Sequence, residues 1–247
     1  MDAVTKKIIR KSAFLFLMLT VSIVGIHRVM MQTPEMPFAR KTAADQTPVI
    51  VLDAGHGGID GGCSTADGVP EKGINLAVML ELRELLTLSG SEVRVTRDSD
   101  RSVHDKGVEG IAAQKSSDMD NRLAMMNEPE NAVCLSIHQN QFTDPKFSGA
   151  QMFYADTNDR SESLAEALQA AFREQLQPDN TREIKRCGKE LFLCYYCKHP
   201  TVMAECGFLS NPEEAARLTD PGYQKQVAFT LFAGLTGWLA AQEQHAV

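Results

Sequence analysis

Short runs rich in apolar and β-branched residues alternate along the chain with longer stretches whose apolar positions recur every three or four residues. The short runs, Val49–Asp53, Glu92–Thr96, Ala132–Ile137, Ala150–Tyr154 and Val202–Glu205, read as strands. A helix is expected over Gly73–Ser89, where Ile74, Val78, Leu82 and Leu85 share a face and Gly90 supplies the stop. Further helices are expected over Asp118–Asn127 and over Glu162–Gln177, whose Leu164, Leu168, Phe172 and Leu176 are four apart. Asn211-Pro212-Glu213-Glu214 is a helix start: Asn caps, Pro takes the first helical position, and the acids face the positive end of the helix dipole. Tyr223–Ala241 is apolar nearly all round, with Gly234 and Gly237 interrupting it, and is expected to be a buried helix rather than a membrane span. Strands alternating with helices predict an α/β domain, its sheet covered by helices on both faces.

The first 31 residues follow a different pattern. Lys6, Lys7, Arg10 and Lys11 precede an apolar run from Ala13 to Ile26, and His27 and Arg28 close it. A basic flank before such a run marks a secretory signal or an N-terminal membrane anchor. The uncleaved anchor is preferred, because the small residues Thr42-Ala43-Ala44 lie far beyond the run. Residues 32–47 are polar, contain proline and show no period, as a tether would. Residues 48–247 then form one catalytic-sized domain, placed outside the cytoplasm by either reading.

The chain has 247 residues, 43% hydrophobic and 23% charged, with a formal net charge of −7. That balance argues against a polyanionic partner such as nucleic acid. The six cysteines, Cys63, Cys134, Cys187, Cys194, Cys197 and Cys206, are not spaced like the framework of a small disulfide-rich domain. Cys134 and Cys206 lie in apolar runs and read as buried hydrophobes. Cys194-Tyr-Tyr-Cys197 has redox or metal spacing but no second pair beside it, so it is read as structural before disulfide or metal.

Chemistry concentrates at the carboxyl ends of three expected strands: His56 follows the first, His138 the third, and Glu205 the last. Open α/β sheets bind ligands at that edge. Gly55, Gly57 and Gly58 around His56 suit close approach to a bound group, yet the loop is neither GxGxxG nor a Walker sequence. A hydrolytic zinc takes three protein ligands and leaves a position for water, so two imidazoles need one carboxylate more. Asp53, Asp60, Asp67 and Glu71 all lie close in sequence. Spacing favours Glu71, at the mouth of the first expected helix. Asp53 suits the role of acceptor for an imidazole N–H. Glu205 is then left to act as general base, and Asn140, just beyond His138, is a candidate for substrate contact.

At these residues the chain resembles the zinc-dependent N-acetylmuramoyl-L-alanine amidase family. The matching stretches are VIVLDAGHGGIDGG, EKGINLA, VTRDSD, NRLAMMN, SIHQNQF, SGAQMFY and AECGFLSNPEE, in the family's order over about residues 49–241. The resemblance implies a mixed, roughly six-stranded sheet flanked by helices. It also implies one zinc held by His56, Glu71 and His138, with Glu205 catalytic. The implied reaction is hydrolysis of the amide between the lactyl group of N-acetylmuramic acid and the L-alanine of peptidoglycan stem peptides. Ala54 stands where the family commonly has proline, a departure that leaves every ligand present. Within the family the chain looks most like the germination-specific branch, which trims spore cortex so that muramic-δ-lactam can form; an activating partner protein is left undefined. A zinc carboxypeptidase would use the same ligand set, and a non-catalytic wall-binding relative would be expected to lack one of these four residues. A reporter joined after Gln46 is expected outside the cytoplasm and in the membrane fraction; recovery of soluble protein beginning near Asp45 would show a cleaved signal instead.

Overall fold

The computed structural model describes residues 47–245, so the expected anchor and nearly all of the expected tether lie outside the described residues. Six strands form one mixed sheet: β1 (Val49–Ala54), β2 (Val93–Val95), β3 (Ala132–Asn140), β4 (Gln151–Tyr154), β5 (Lys185–Arg186) and β6 (Thr201–Phe208). Their order across the sheet is β2-β1-β3-β6-β4-β5. β2, β1, β3 and β6 run parallel, while β4 is antiparallel to β6 and β5 parallel to β4. Parallel neighbours need crossovers, and two of these are helical: α1 (Glu71–Leu88) joins β1 to β2, and α2 (Ile111–Asn127) joins β2 to β3. The remaining helices are α3 (Arg160–Gln175), α4 (Phe192–Tyr196), α5 (Pro212–Leu218) and α6 (Pro221–His245).

Alternation along the central strands divides their side chains between two cores. Ile50, Leu52, Val133, Leu135, Ile137, Val202 and Ala204 face a large core completed by α1, α3 and α6. Val51, Ala132 and Cys134 face a smaller one, closed by Met126 of α2 and Leu193 of α4. The helices-on-both-faces arrangement therefore holds. α6 contributes one buried face, Val227, Leu231, Leu235 and Trp238, while Phe229 remains exposed. At Gly234 a Cβ would stand 3.1 Å from both Ala171 and Leu168 of α3, so glycine is what lets these helices approach. Among the described residues no helix is long and apolar enough to cross a membrane.

Three expectations need correction. β3 and β6 run past His138 and Glu205 rather than ending there, since pairing continues to Asn140↔Phe208 across a register shift. α2 begins at Ile111, seven residues before the expected Asp118, because its first two turns are mostly exposed and carry no apolar period. The two-residue β5 and five-residue α4 were not expected at all.

The sheet's carboxyl edge is tied together by buried charge. Asp53, fully buried on β1, accepts from Thr96 Oγ1 (2.6 Å), Ser136 Oγ (2.6 Å) and Arg122 Nη1 (2.7 Å), joining β1 and β3, the end of β2, and α2. Burial pushes its carboxyl up, but Arg122 and the two hydroxyls outweigh burial and leave it at about 2. Removing one member of such a pair strands the other charge, so Arg122→Met is expected to lower unfolding free energy by about 3–5 kcal/mol in denaturant titrations, and Arg122→Lys, lacking the fork, to restore only part. The Asp53 contribution is complete above its ordinary value of 3.8 and disappears as pH falls through about 2. Acid titration of wild type should show that loss, and Asp53→Asn should flatten it.

Candidate active site

His56 follows β1 across a turn in which it adopts φ 62°, an unusual conformation for a residue with a side chain. The turn is held from both sides. Arg122 Nη2 donates to His56 O at 2.6 Å, and reciprocal Gly57–Asp60 backbone bonds of 2.9 and 3.1 Å close the loop beyond. Arg97, also buried, donates to Ala54 O (2.8 Å) and Gly55 O (3.0 Å).

Glu71 enters from the first turn of α1, where the positive end of the helix dipole favours a carboxylate. The chain returns to it through Glu71 N donating to Cys63 O, and Cys63 N donates back to Glu71 Oε2 at 3.0 Å. Asn75, one turn on, and the backbone N–H of Gln139 both donate to Oε1 at 3.0 Å. Glu71 is thus buried with its orientation set by the backbone of two other segments. His138 comes from β3, its Nδ1 3.0 Å from Glu71 Oε1. A Cβ on Gly55 would lie 2.2 Å from the His138 ring, so the strand end beneath the imidazole has room only for glycine.

Glu71 therefore sits between two imidazoles, with His56 Nε2 3.4 Å from Oε2 and ring centroids 4.9 Å apart. One donor atom from each of His56, Glu71 and His138 lies within 4.8 Å of the others, the single such group among the described residues. Burial acts to raise Glu71, but the two imidazoles outweigh it and hold the carboxyl well below the usual range. Burial acts to lower His56, but Glu71 and Asp60 outweigh it and raise the imidazole to about 9. Such a concentration of donors, anionic at its centre, suits a divalent cation.

Glu205 stands beside His138 in the β3–β6 register. Its Oε2 is buried without a hydrogen-bond partner. Burial, reinforced by Glu71, pushes its carboxyl up to about 7. His56, Glu71, His138 and Glu205 line one cleft of about 330 Å³, together with Asn140 and the Leu191–Leu193 wall.

The four chemistry-bearing residues are brought together; the expected role of Asp53 is not. Its oxygens are occupied by Arg122, Thr96 and Ser136, because a strand residue in register with Ser136 points into the sheet edge rather than at the imidazole. Asp60 takes that place, with Oδ2 2.9 Å from His56 Nδ1 and Oδ1 accepting from Lys115 at 2.8 Å. Asp67 is engaged by the Thr65 hydroxyl, outside the cluster. Sequence reasoning also assigned no role to Arg97, Arg122 or Asn75, although Asn75 and Arg122 follow acidic residues at i,i+4 spacing on their helices.

The N-acetylmuramoyl-L-alanine amidase family profile matches residues 50–237. The chain is 36% identical over 187 residues to the germination-specific N-acetylmuramoyl-L-alanine amidase of Bacillus subtilis, covering 76% of this chain and 78% of that one. It is similar to the solved structure of the CwlD amidase from Clostridioides difficile in complex with the GerS lipoprotein, with TM-score 0.76 and 35% identity over 79% of this chain and 100% of that one. The catalytic domain of CwlV, an N-acetylmuramoyl-L-alanine amidase from Bacillus (Paenibacillus) polymyxa, superposes with TM-score 0.64 and 26% identity over 78% of this chain and 99% of that one. Likeness in sequence and in three-dimensional course runs through almost the whole described domain, and the chain belongs to the N-acetylmuramoyl-L-alanine amidase family.

Proposed function

We propose that the chain is a zinc-dependent hydrolase acting outside the cytoplasmic membrane. It cleaves the amide between the lactyl group of N-acetylmuramic acid and the L-alanine of peptidoglycan stem peptides, in spore cortex in preparation for germination. The observation that carries this reading is a two-imidazole, one-carboxylate donor set within 4.8 Å beside a second glutamate whose buried oxygen has no partner. His56, Glu71 and His138 are assigned as the zinc ligands. Bound there, zinc supplies a coordinated water with a pKa near ~7 and a Lewis acid for the scissile carbonyl.

The chain's own groups do the rest. An Asp60 carboxylate facing His56 Nδ1 holds the proton on that nitrogen, so that Nε2, on the Glu71 side, is the nitrogen that would give up its proton to hold a cation. Glu205, desolvated to about 7, accepts a proton from the attacking water and returns it to the departing alanine nitrogen. Asn140, on the cleft wall, is assigned to substrate contact. The basic, apolar N-terminal segment is read as a membrane tether that keeps the enzyme near an insoluble substrate. The CwlD amidase is described in complex with a lipoprotein, and a lipoprotein of that kind is the proposed partner here.

Replacing His56, Glu71 or His138 by Ala should abolish stoichiometric zinc in metal analysis, and Asp60→Asn should weaken zinc affinity by roughly 10–100-fold. Zinc content that tracked Cys194 and Cys197 instead would defeat the site assignment. Glu205→Gln should keep fold and zinc while release of stem peptides from purified sacculi, followed by mass spectrometry, falls by at least ~10²-fold. Zinc lost with Glu205→Gln would make the residue a ligand, and near-normal turnover would remove it from the mechanism.

A further inference from the structure

Leu191, Phe192 and Leu193 form part of the cleft wall, yet α4, which carries two of them, has five residues. That is far below the ~12–15 residues at which an isolated helix becomes even marginal. This segment holds three of the six cysteines, Cys187, Cys194 and Cys197. The CxxC spacing would allow the last two to pair with each other, but the fold turns them to opposite sides. Cys197 Sγ lies 3.7 Å from Cys134 Sγ on β3 and 3.6 Å from Asn127 Oδ1. Cys194 Sγ donates to Phe153 O at 3.6 Å, and Cys187 N donates to Tyr154 O at 3.0 Å, so these two are fixed against consecutive residues of β4. Both belong to one buried cluster with Ala155 and Met203. All six cysteines are unbridged in this structure.

We propose that Cys134–Cys197 and Cys187–Cys194 are native disulfide pairs, closed when the exported chain meets a disulfide-bearing oxidant, and that they fasten the 187–197 wall of the cleft to β3 at one end and across itself beside β4 at the other. Closing the first pair requires the sulfurs to move from 3.7 Å to about 2.05 Å, a displacement within reach of side-chain rotation. In each pair one cysteine thiolate attacks the oxidant's S–S bond, forming a mixed disulfide and expelling one thiolate. The second cysteine thiolate then attacks the protein sulfur and expels the other. Two electrons pass from the cysteine pair to the oxidant, and the two cysteine protons end on the two released thiols. All four thiols are buried, so exchange belongs to folding, before the wall packs down. Cys63 and Cys206 contact Gln139 O and Ala204 O and remain thiols.

The test is to refold the full chain in a glutathione redox buffer, alkylate remaining thiols, and digest without reduction using trypsin and chymotrypsin. Cleavage after Lys189, Tyr195 and Tyr196 places Cys187, Cys194 and Cys197 in separate peptides. Peptides linked through 134–197 and 187–194 are expected, with alkylation confined to Cys63 and Cys206. Cys134→Ala should leave only the 187–194 link, and Cys187→Ala only the 134–197 link. The oxidised protein should melt at least ~5 °C above the same protein treated with a phosphine reductant. If refolding fails, protein purified natively without reductant is mapped the same way. A dominant 194–197 link, six alkylated cysteines in natively folded protein, or a melting midpoint indifferent to reduction overturns the proposal. None of these readouts involves zinc or hydrolysis, so they fail or succeed independently of the catalytic assignment.

Discussion

Two buried guanidinium groups grip the carbonyls of three successive residues, and the site hangs from that grip. Arg97 and Arg122 both donate to Ala54 O; Arg97 also reaches Gly55 O, and Arg122 reaches His56 O. These carbonyls leave the β1 ladder just where the chain must turn and hold His56 at φ 62°. A non-glycine residue there carries strain of order 1–3 kcal/mol, which persists only when the surroundings over-determine it. The arginines supply that constraint; burial of Arg122 is tolerable because Asp53 and Asp118 pair with it, and burial of Arg97 because the carbonyls of Ala54, Gly55, Lys72 and Ser99 accept from it. A network outside the cluster of His56, Glu71 and His138 thereby decides where the His56 imidazole stands.

The same edge separates two glutamates by environment. Glu71 receives N–H groups from Cys63, Asn75 and Gln139 and lies between two imidazoles, so it stays anionic under all ordinary conditions. Glu205 is buried with one oxygen unpartnered, so its proton is held near neutrality. Identical side chains in one cleft are thus suited to opposite tasks, one to hold charge and one to exchange a proton.

Much of this was legible from residue order. The central strands announced themselves as β-branched runs because they are buried on both faces, and the groups that follow such runs necessarily collect at one edge of a parallel sheet. His56, His138 and Glu205 stood out that way, whereas Glu71 was favoured among four nearby acids by spacing and then singled out by the family resemblance. What stayed hidden depends on parity and loop path. Asp53 and Asp60 are both plausible partners for an imidazole by spacing, and only the pairing of Asp53 with Ser136 sends the first inward, while the Gly57–Asp60 turn brings the second beneath His56. The opening turns of α2 and the short α4 and β5 were hidden for a plainer reason. Their residues are too exposed or too few to show a period.

That last element has a bearing on how the molecule meets its neighbours. β5 forms one margin of the sheet, and its two residues, Lys185 and Arg186, are both exposed and both cationic. A sheet margin offers unpaired backbone groups to any passing strand, and short, positively charged margins are how proteins refuse that offer. An identical chain approaching edge to edge would bring lysine against lysine or arginine against arginine over too few residues to form a ladder. That margin of the sheet is therefore closed to pairing with the same margin of a second copy, however crowded the copies are.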